Sequence, residues 1–363
     1  MRLLLLNQYG PASGAPTGRI LSDLGSGLQE LGHEIIFLDS DSSYGKPRRG
    51  LGRILHELRA HLILLGRSLC CRKVDAVISL TSPACLAVTA GVAAQIHRAK
   101  HFHWAMDLYP DAAVRLGELK SGGLSRFLAL LMRRAYRGAD RVVTLDEDMR
   151  EYLQNIYGVD SSVLEPLPPE VVWPAFRPSQ EPAPKTAKRW LYSGNFGRAH
   201  EIEVLLHIQK RLEDRRVAAE LILQGQGAQF ASSRNAAGLL DLRRVQWRPP
   251  ASQESLGESL FQSDVLVVTR KAEMKGLLLP SKLMLAELSG KIILWIGDTD
   301  GKTAQRLKSE DRHGVFTLPD VEPIAGWLEH LFGRESSGQV IEPKATREVR
   351  KALIRKWEAL LRQ

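Results

Sequence analysis

The sequence predicts an α/β protein built from two parallel-sheet domains. Short apolar runs recur along the chain with amphipathic segments between them, and several of these runs end in glycine-rich turns. This alternation is typical of βαβ units, whose ligands bind at the carboxyl ends of the strands. A length of 363 residues is too great for one ordinary core and indicates about two domains.

The composition is that of a globular protein, with 44% hydrophobic and 25% charged residues. No apolar run reaches the ~20 residues that span a bilayer, and the opening MRLLLLNQYG is typical of a buried strand rather than of a signal peptide. Cys70, Cys71 and Cys85 lack metal-ligand spacing and leave an odd thiol. These features favour a reducing, cytoplasmic environment.

The net charge of +9 indicates contact with something acidic. The candidates are nucleic acid, an anionic membrane face and a phosphorylated ligand. Nucleic acid is disfavoured because the chain has no zinc-finger spacing and no RNP-like aromatic strand, and only 6% of its residues are aromatic. We therefore expect no nucleic-acid partner.

Five strands are predicted in the first half of the chain. They cover residues 3–7, 34–39, 75–80, 102–106 and 141–145. The first strand runs into a turn with three glycines, residues 8–19, where bare backbone could approach a ligand. Glycines that serve chain reversal alone would give the same pattern.

Residues 47–73 form a predicted basic amphipathic helix. This segment alternates leucines with seven basic residues and contains one acidic residue, Glu57. Such a helix can lie in the headgroup region of an anionic membrane. An ordinary core-facing helix with a solvated basic face fits the pattern equally well, and both interpretations remain open.

Polar side chains cluster where the predicted strand 102–106 ends. His101, His103 and Asp107 lie there, at a position from which side chains reach a ligand. A structural role for the histidines and a turn-capping role for Asp107 before Pro110 remain open alternatives.

A proline-rich stretch separates the two halves. Residues 166–187 lack apolar periodicity and are the predicted linker between a domain over 1–165 and a domain over 188–345. The second domain has predicted strands at 189–194, 218–227, 245–250, 263–268 and 292–296. The last segment, 346–363, contains a helix that we expect to pack back toward the N-terminal domain.

The segment from 276 to 298 contains a loop, a helix beginning near Pro280, a glycine stop at Gly290 and a buried strand. Lys282 falls in the first turn of the helix, where the helix dipole opposes a positive charge by ~0.3–1 kcal/mol. A bound anion such as a diphosphate would remove that conflict. A lysine that extends into water is the simpler alternative.

Five segments carry a resemblance to a known family. They are NQYGPASGAPTGR at 7–19, WAMDLYPDAAVRLGEL at 104–119, GADRVVTLDEDM at 138–149, YSGNFGRAHEIEVLL at 192–206 and LLLPSKLMLAELSGK at 277–291. Over nearly its whole length the chain resembles the retaining family-four glycosyltransferases. Within them it is similar to the Pro-Ser-Lys branch of bacterial surface-polysaccharide enzymes. The resemblance implies the GT-B architecture, with two Rossmann-like domains facing a cleft.

The same resemblance implies a reaction and its partners. The C-terminal domain would bind a nucleotide-diphosphate sugar, and the N-terminal domain would bind a glycan or polyprenyl-diphosphate-linked acceptor. The enzyme would be cytoplasmic and peripheral on the inner face of an anionic membrane. No cofactor or metal is expected, because amides, guanidinium and ammonium groups can neutralise the leaving diphosphate.

The resemblance also implies site residues. Asp107 would face the reaction centre, and His103 on the preceding strand is the second catalytic candidate. The donor-binding candidates are Gly14, Gly194, Asn195, Gly197, Arg198, His200, Gly225, Gly227, Glu273, Ser281 and Lys282.

The chain departs from the family pattern at several of its positions. Many members carry two glutamates eight positions apart, and the matching residues here are Leu277 and Leu285. The arginine and lysine common after the first donor-domain strand correspond to Asn195 and His200. Arg198 and Lys282 would have to substitute for them, and Glu273 for a hydroxyl contact. A non-catalytic GT-B scaffold in a polysaccharide complex and a nucleotide-sugar 2-epimerase are therefore the alternatives.

Overall fold

The structure is a computed structural model that describes residues 1–41, 51–174, 187–318, 320–334 and 341–363. These residues form two compact units. The first contains Met1–Leu167, Gly276–Leu279 and Arg350–Gln363, and the second contains Pro168–Lys275 and Pro280–Val349. Residues 276–279, predicted within the second domain, thus lie in the first unit. The predicted linker falls largely on 175–186, outside the described residues, so its limits stay predictions.

The first unit contains a six-stranded parallel sheet. Its strands are β1 Arg2–Leu6, β2 Glu34–Leu38, β3 Ala76–Ser79, β4 Lys100–Trp104, β5 Arg141–Thr144 and β6 Ser162–Val163. They lie in the order β2-β1-β3-β4-β5-β6. Leu3, Leu4, Leu5 and Leu6 are fully buried, because a strand inside a parallel sheet is covered on both faces.

The second unit repeats the architecture. Its strands are β7 Lys188–Asn195, β8 Ala219–Gln226, β9 Val245–Arg248, β10 Val265–Thr269, β11 Ile292–Ile296 and β12 Gly314–Phe316. They lie in the order β12-β11-β10-β7-β8-β9, and all their pairings are parallel. The order reverses between β7 and β10, which is where open α/β sheets bind ligands.

Helices connect the strands in both units. The first unit has α1 Pro16–Glu30, α2 Leu51–Leu69, α3 Leu86–His97, α4 Asp111–Arg115, α5 Gly123–Gly138 and α6 Glu147–Tyr152. The second has α7 Glu203–Asp214, α8 Phe230–Leu239, α9 Gln253–Phe261, α10 Lys282–Leu288, α11 Lys302–Lys308 and α12 Val321–Gly333. The last helix, α13 Thr346–Leu361, lies mostly in the first unit.

The predicted α/β class with two parallel sheets is confirmed, and every strand predicted from the sequence is present. The edge strands β6 and β12 were missed, since they span only two and three residues and are too short to show a period. Gly290 follows α10 with a φ of +70°, as its predicted role as a stop requires.

Candidate functional site

The candidate site is at the carboxyl ends of the strands beside the reversal point of the second sheet. β7 ends there with Gly194 and Asn195, and β10 ends with Thr269. β8 lies on the other side of β7 and ends in Gly225 and Gln226.

Three glycines let the backbones of β7 and β8 approach closely at this edge. Gly194, Gly225 and Gly227 have φ values of +149°, +143° and +148°, which side-chain-bearing residues rarely adopt. A Cβ at residue 225 would overlap the carbonyl oxygen of Gly194, and one at residue 227 would lie 2.7 Å from the amide nitrogen of Phe196. The structure thus brings together three of the predicted donor-binding glycines.

Lys282 lies directly over this glycine edge. A Cβ at residue 194 would be 3.1 Å from Cε of Lys282. The ammonium nitrogen donates a hydrogen bond of 2.6 Å to the hydroxyl of Tyr192 and lies 3.8 Å from the centroid of that ring. Among the described residues no carboxylate is bonded to it, and desolvation holds the pKa of Lys282 well below its usual range. An anion would supply the missing counter-charge.

Sequence reasoning missed Tyr192, which holds Lys282 in place. The phenol donates a 2.7 Å hydrogen bond to the carbonyl of Asn195 while accepting one from Lys282. Burial raises the pKa of Tyr192, so it stays a neutral phenol. The alternation of β7 was a usable signal, because Tyr192 and Gly194 are two residues apart and share one face of the strand.

The loop after β7 is fastened by hydrogen bonds to its backbone. The amide of Gln229 donates to the carbonyls of Gly197 and His200, at 2.5 and 3.1 Å. His200 Nδ1 lies 2.6 Å from the carbonyl oxygen of Thr269. Because a carbonyl only accepts, Nδ1 carries the hydrogen and Nε2 is left as an acceptor.

His200 is neutral in this setting. Desolvation, followed by the nearby charge of Lys282, lowers the pKa of His200 to about 3. The ring therefore adds no positive charge to a phosphate site. Its Nε2 suits a hydrogen-bond donor such as a sugar hydroxyl. This qualifies the predicted placement of His200 on the phosphate side.

A buried ion pair at the neighbouring strand ends was also missed. Arg270 directly follows β10 and is fully buried, and its Nη2 and Nε lie 2.6 and 3.1 Å from Oδ1 of Asp298. The guanidinium carbon also lies 5.0 Å from the centroid of the Trp295 ring. Removing either partner would leave the other as an unpaired buried charge. The pair therefore fixes the loops that follow β10 and β11.

The remaining donor-binding candidates lie at the surface. Asn195, Arg198 and Ser281 are exposed, and so is Glu273 in a short 3₁₀ helix, Ala272–Met274. Ser281 precedes α10 without a side-chain capping bond, and α10 is only seven residues long. Gly14, in the first unit, has a φ of +78° and precedes α1, and a Cβ at this residue would meet nothing within 4 Å.

Asp107 follows β4 in the first unit and pairs with the segment 276–279 of the same unit. Asp107 and Leu278 form an isolated antiparallel bridge, and the amide of Leu108 donates to the carbonyl of Leu277 at 2.8 Å. The side chain keeps partial exposure, and desolvation raises the pKa of Asp107 to about 6. A carboxylate poised near neutrality is a candidate for chemistry.

His103 is placed differently from the prediction. Its side chain is 1% exposed, its Nδ1 lies 2.9 Å from Ser79 Oγ, and its ring packs against Tyr136 at 5.6 Å between centroids. Burial lowers the pKa of His103 to about 3. The structure therefore assigns His103 to the core between β4 and α5, which corrects its predicted catalytic role. Alternation along β4 gives the face of His103 but not what covers that face.

The positions of the missing glutamates are buried. Leu277 is 1% exposed and Leu285 is 8% exposed, and a leucine side chain has no oxygen that could do the work of a carboxylate. In the described ranges, no three His, Cys, Asp or Glu side chains are grouped so that they could hold a metal ion. Metal independence of the reaction stays a prediction.

The predicted basic helix is α2, and its residues 47–50 lie outside the described part of the chain. Leu64 is buried, but Ile54, Leu55, Leu58 and Leu62 are each more than half exposed. One face of α2 meets the core through Ala60, Leu64 and Ser68, while the four apolar residues named above lie outside it, so both interpretations of this helix stay predictions. Within the described ranges no helix is both long and apolar enough to cross a bilayer.

Comparison with known proteins finds one matching domain model and one curated relative. Residues 17–170 match the family model described as a Glycosyl transferase 4-like domain. A probable glycosyltransferase, WbjE, of Pseudomonas aeruginosa is 27% identical over 291 residues, which are 76% of this chain and 70% of that protein.

Solved structures share the fold over almost the whole chain. The lipopolysaccharide biosynthesis glycosyltransferase WaaG aligns with a TM-score of 0.65 at 15% identity, covering 99% of this chain and 95% of its own. The outer core galactosyltransferase WaaB aligns at 0.60 and 16%, covering 98% and 95%. HepE of Anabaena, in complex with UDP-glucose, aligns at 0.65 and 12%, covering 99% and 98%. The GT-B fold of these neighbours, the matched domain and the curated relative together support a GT-B glycosyltransferase.

Proposed function

We propose that the protein transfers a sugar from a nucleotide-diphosphate sugar to a glycan or polyprenyl-diphosphate-linked acceptor in surface-polysaccharide biosynthesis. The observation that carries this proposal is Lys282, a half-buried lysine without a carboxylate partner among the described residues, whose terminal nitrogen lies over the glycine ends of β7 and β8. The fold neighbours support the same chemistry, since HepE was solved with UDP-glucose and WaaG acts in lipopolysaccharide biosynthesis.

The donor diphosphate binds at the glycine edge beside Lys282. Bare amides at Gly194 and Gly225 approach the phosphates, the ammonium group neutralises them, and Arg198 supplies a second cation from the surface. The bond between the anomeric carbon and the diphosphate oxygen then breaks, and its electron pair stays on the diphosphate, whose charge these groups stabilise. The acceptor hydroxyl oxygen forms the new bond to the anomeric carbon, and its proton passes to the leaving diphosphate. Neutral His200 accepts, at Nε2, a hydrogen bond from a hydroxyl group of the nucleotide sugar.

Transfer proceeds with retention of the anomeric configuration and without a metal ion. The carboxylate of Asp107 stabilises positive charge as it develops at the reaction centre, and the protein forms no covalent bond to the sugar. Product anomers identified by NMR test retention, and an inverted product would contradict the mechanism. Because the reaction is proposed to need no metal ion, we expect transfer to be undiminished in excess chelator. Loss of transfer in chelator would contradict metal independence.

The acceptor side is proposed to meet an anionic membrane through α2. Four of its large apolar side chains are more than half exposed, and Arg59 and Arg67 lie on the same helix. Such a helix gains both apolar burial and attraction to anionic headgroups. A lipid-linked acceptor would give that contact a purpose.

The direct test is thermal-shift and calorimetric binding of a panel of nucleotide diphosphates and nucleotide sugars. We expect one nucleotide to bind to the native protein and its affinity to fall by about 10–100-fold in Lys282→Ala, as for a lost charged hydrogen bond. Lys308→Ala, an exposed lysine on α11, is the matched control and should bind normally. Equal nucleotide affinity in the native protein and in Lys282→Ala would show that the diphosphate does not bind at this edge.

A non-catalytic scaffold remains the second candidate because Leu277 and Leu285 occupy the glutamate positions. A catalyst hydrolyses or transfers its donor, whereas a scaffold leaves it intact. Product analysis also separates a transferase from a 2-epimerase, since only the epimerase releases an altered nucleotide sugar in the absence of an acceptor.

A further inference from the structure

Three hydrogen bonds join the end of β10 to the loop that follows β7. His200 Nδ1 donates to the carbonyl oxygen of Thr269 at 2.6 Å, and the amide of Glu201 donates to the hydroxyl oxygen of Thr269 at 3.3 Å. The amide of Lys271 donates to the carbonyl oxygen of Ala199 at 2.9 Å. The backbone that leaves β10 therefore decides where the His200 ring lies and which of its nitrogens carries the hydrogen.

Arg270 lies between the two residues that make these contacts, and its side chain is fully buried. Its amide donates to the carbonyl oxygen of Ile296 at 3.0 Å, and its guanidinium group bonds to the carboxylate of Asp298, which follows β11. Trp295 packs against that guanidinium group and donates from Nε1 to the carbonyl oxygen of Asp298 at 2.8 Å. The chain leaving β10 is thus fixed to β11 on one side and to the loop after β7 on the other.

Stability alone does not account for this buried ion pair. Replacing a buried ion pair by apolar side chains of similar volume is often neutral or stabilising, because desolvation offsets the attraction between the charges. Asp298 is 5% exposed, and its Oδ2 accepts no hydrogen bond from the residues that the structure describes. What the pair supplies is direction, since Nε and Nη2 of Arg270 converge on one carboxylate oxygen, Oδ1.

We infer that Arg270 and Asp298 are positioning residues for recognition of the donor sugar. They hold the carbonyl oxygen of Thr269 against Nδ1 of His200, so that Nε2 stays the acceptor for a sugar hydroxyl. The pair acts through His200 and not on the diphosphate, whose charge Lys282 neutralises. This inference rests on the proposed function for its ligand, whereas the effect on the His200 ring can be measured in the unliganded protein.

The first measurement is nitrogen NMR of the histidine rings in the full chain. In the native protein we expect His200 to keep one neutral tautomer, with hydrogen on Nδ1 and none on Nε2. The resonance is assigned by its loss in His200→Gln. The double variant Arg270→Met/Asp298→Leu removes both charges at similar volume, so it should fold. In this variant we expect the ring to populate both tautomers.

The second measurement compares binding of two probes, UDP and UDP-glucose. In Arg270→Met/Asp298→Leu we expect UDP-glucose to bind about three- to tenfold more weakly, as for one lost neutral hydrogen bond, and UDP to bind as in the native protein. Arg215→Met/Glu329→Leu is the matched control, because it removes a 2.7 Å ion pair whose arginine precedes β8, at the opposite end of that strand from Gly225. The control should change neither the two affinities nor the His200 tautomer.

The outcomes separate this inference from the proposed function. A double variant that keeps the native tautomer and binds UDP-glucose normally would show that the pair serves the fold alone. Affinities for UDP and UDP-glucose that fall together would place the effect of the pair at the diphosphate and also overturn the inference. If the native protein binds neither probe, the proposed function fails for this donor, while the tautomer of His200 still decides whether the pair positions that ring.

Circular dichroism shows whether each variant is folded. Should the double variant unfold, Arg270→Lys gives the same readouts, because lysine keeps the charge but offers one flexible group in place of two fixed donors. We expect this variant to mix the His200 tautomers as well, and a single native tautomer would contradict the inference.

Discussion

Lys282 and Asp107 are ionisable residues whose surroundings oppose their charge. Lys282 has its pKa lowered by desolvation, and Asp107 has its pKa raised by desolvation. Asp107 lies just after β4, and Lys282 lies at the start of α10 beside the end of β7. Groups perturbed in this way lower the stability of a protein, and they cluster where a ligand or a reaction supplies the missing charge.

Donor binding should take up a proton at Lys282. The low pKa of the free state rises when a diphosphate supplies a counter-charge, so affinity should fall as pH increases between the free and bound pKa values. Tyr192 and His200 face this ammonium group and stay neutral, since the pKa of Tyr192 is raised and that of His200 is about 3. Calorimetry in buffers of different ionisation enthalpy measures the uptake. It should disappear in Lys282→Met, and pH-independent affinity in the native protein would contradict the prediction.

Asp107→Asn should stabilise the fold and impair transfer. Because the pKa of Asp107 is raised from 3.8 to about 6, the folded state binds the proton more tightly than the unfolded state does. Ionised Asp107 therefore lowers stability above that pKa, and this effect vanishes below about pH 4. We expect asparagine to raise the free energy of unfolding by ~1–3 kcal/mol at neutral pH and to leave it unchanged in acid.

Urea denaturation at several pH values measures the stability effect of Asp107→Asn, and initial rates measure transfer. In the native protein, transfer should decline as pH falls below about 6. Full activity of the asparagine variant would remove Asp107 from the mechanism, whatever its effect on stability.

The ends of β7 and β8 set the shape of the glycine edge at the level of secondary structure. Their backbones are paired out to Gly194 with Gly225 and Asn195 with Gln226. The left-handed φ values let the two strands stay paired to their last residues while the chain turns away. Side chains at these glycines would separate the strands and occupy the space over which Lys282 lies.

Gly225→Ala should be severely destabilising. Its Cβ would overlap a backbone carbonyl, which cannot move aside as a flexible side chain can, and its φ of +143° would be strained. We expect a loss of ~3 kcal/mol or more in the free energy of unfolding, with loss of nucleotide binding. Gly238→Ala on α8 is the matched control, because nothing lies within 4 Å of its Cβ position. It should be neutral or stabilising by ~0.4–1 kcal/mol, and equal effects in the two variants would refute the steric argument.

On the scale of the whole molecule, the C-terminal helix completes the first unit. Trp357 on α13 is fully buried and packs against Trp104 of β4 with 4.9 Å between ring centroids. Arg350 is 2.9 Å from the carboxylate of Asp23 on α1. Residues 350–363 are therefore part of the same core as the strands of the first unit.

Trp357→Ala should destabilise the first unit by ~3–5 kcal/mol, the usual effect of removing a large buried aromatic side chain. The second unit should keep its stability, since Trp357 has its contacts in the first. Calorimetric unfolding with and without a nucleotide that binds the second unit distinguishes the two transitions. Lys356→Ala, at an exposed position on the same helix, should be silent. If Trp357→Ala shifted the unfolding transition of the second unit instead, the assignment of α13 to the core of the first unit would be wrong.

The sequence by itself determined the two parallel sheets and the glycine turns at the ends of β7 and β8. Strand identity depends on local periodicity and on continuous apolar runs, which the sequence shows. Gly194, Gly225 and Gly227 lie at the ends of two strands that are recognisable in this way. Lys282 was also recognisable, because a cation in a first helical turn conflicts with the local potential within a few residues of sequence.

Only the tertiary structure decided which side chains meet. Lys282 bonds to Tyr192 across 90 residues of chain, and Arg270 pairs with Asp298 across 28. Periodicity places a residue on a face, but packing from distant segments determines what covers that face. For this reason His103 proved to be a core residue, whereas Leu55, Leu58 and Leu62 of α2, with the same apolar pattern as a core helix, proved to be exposed.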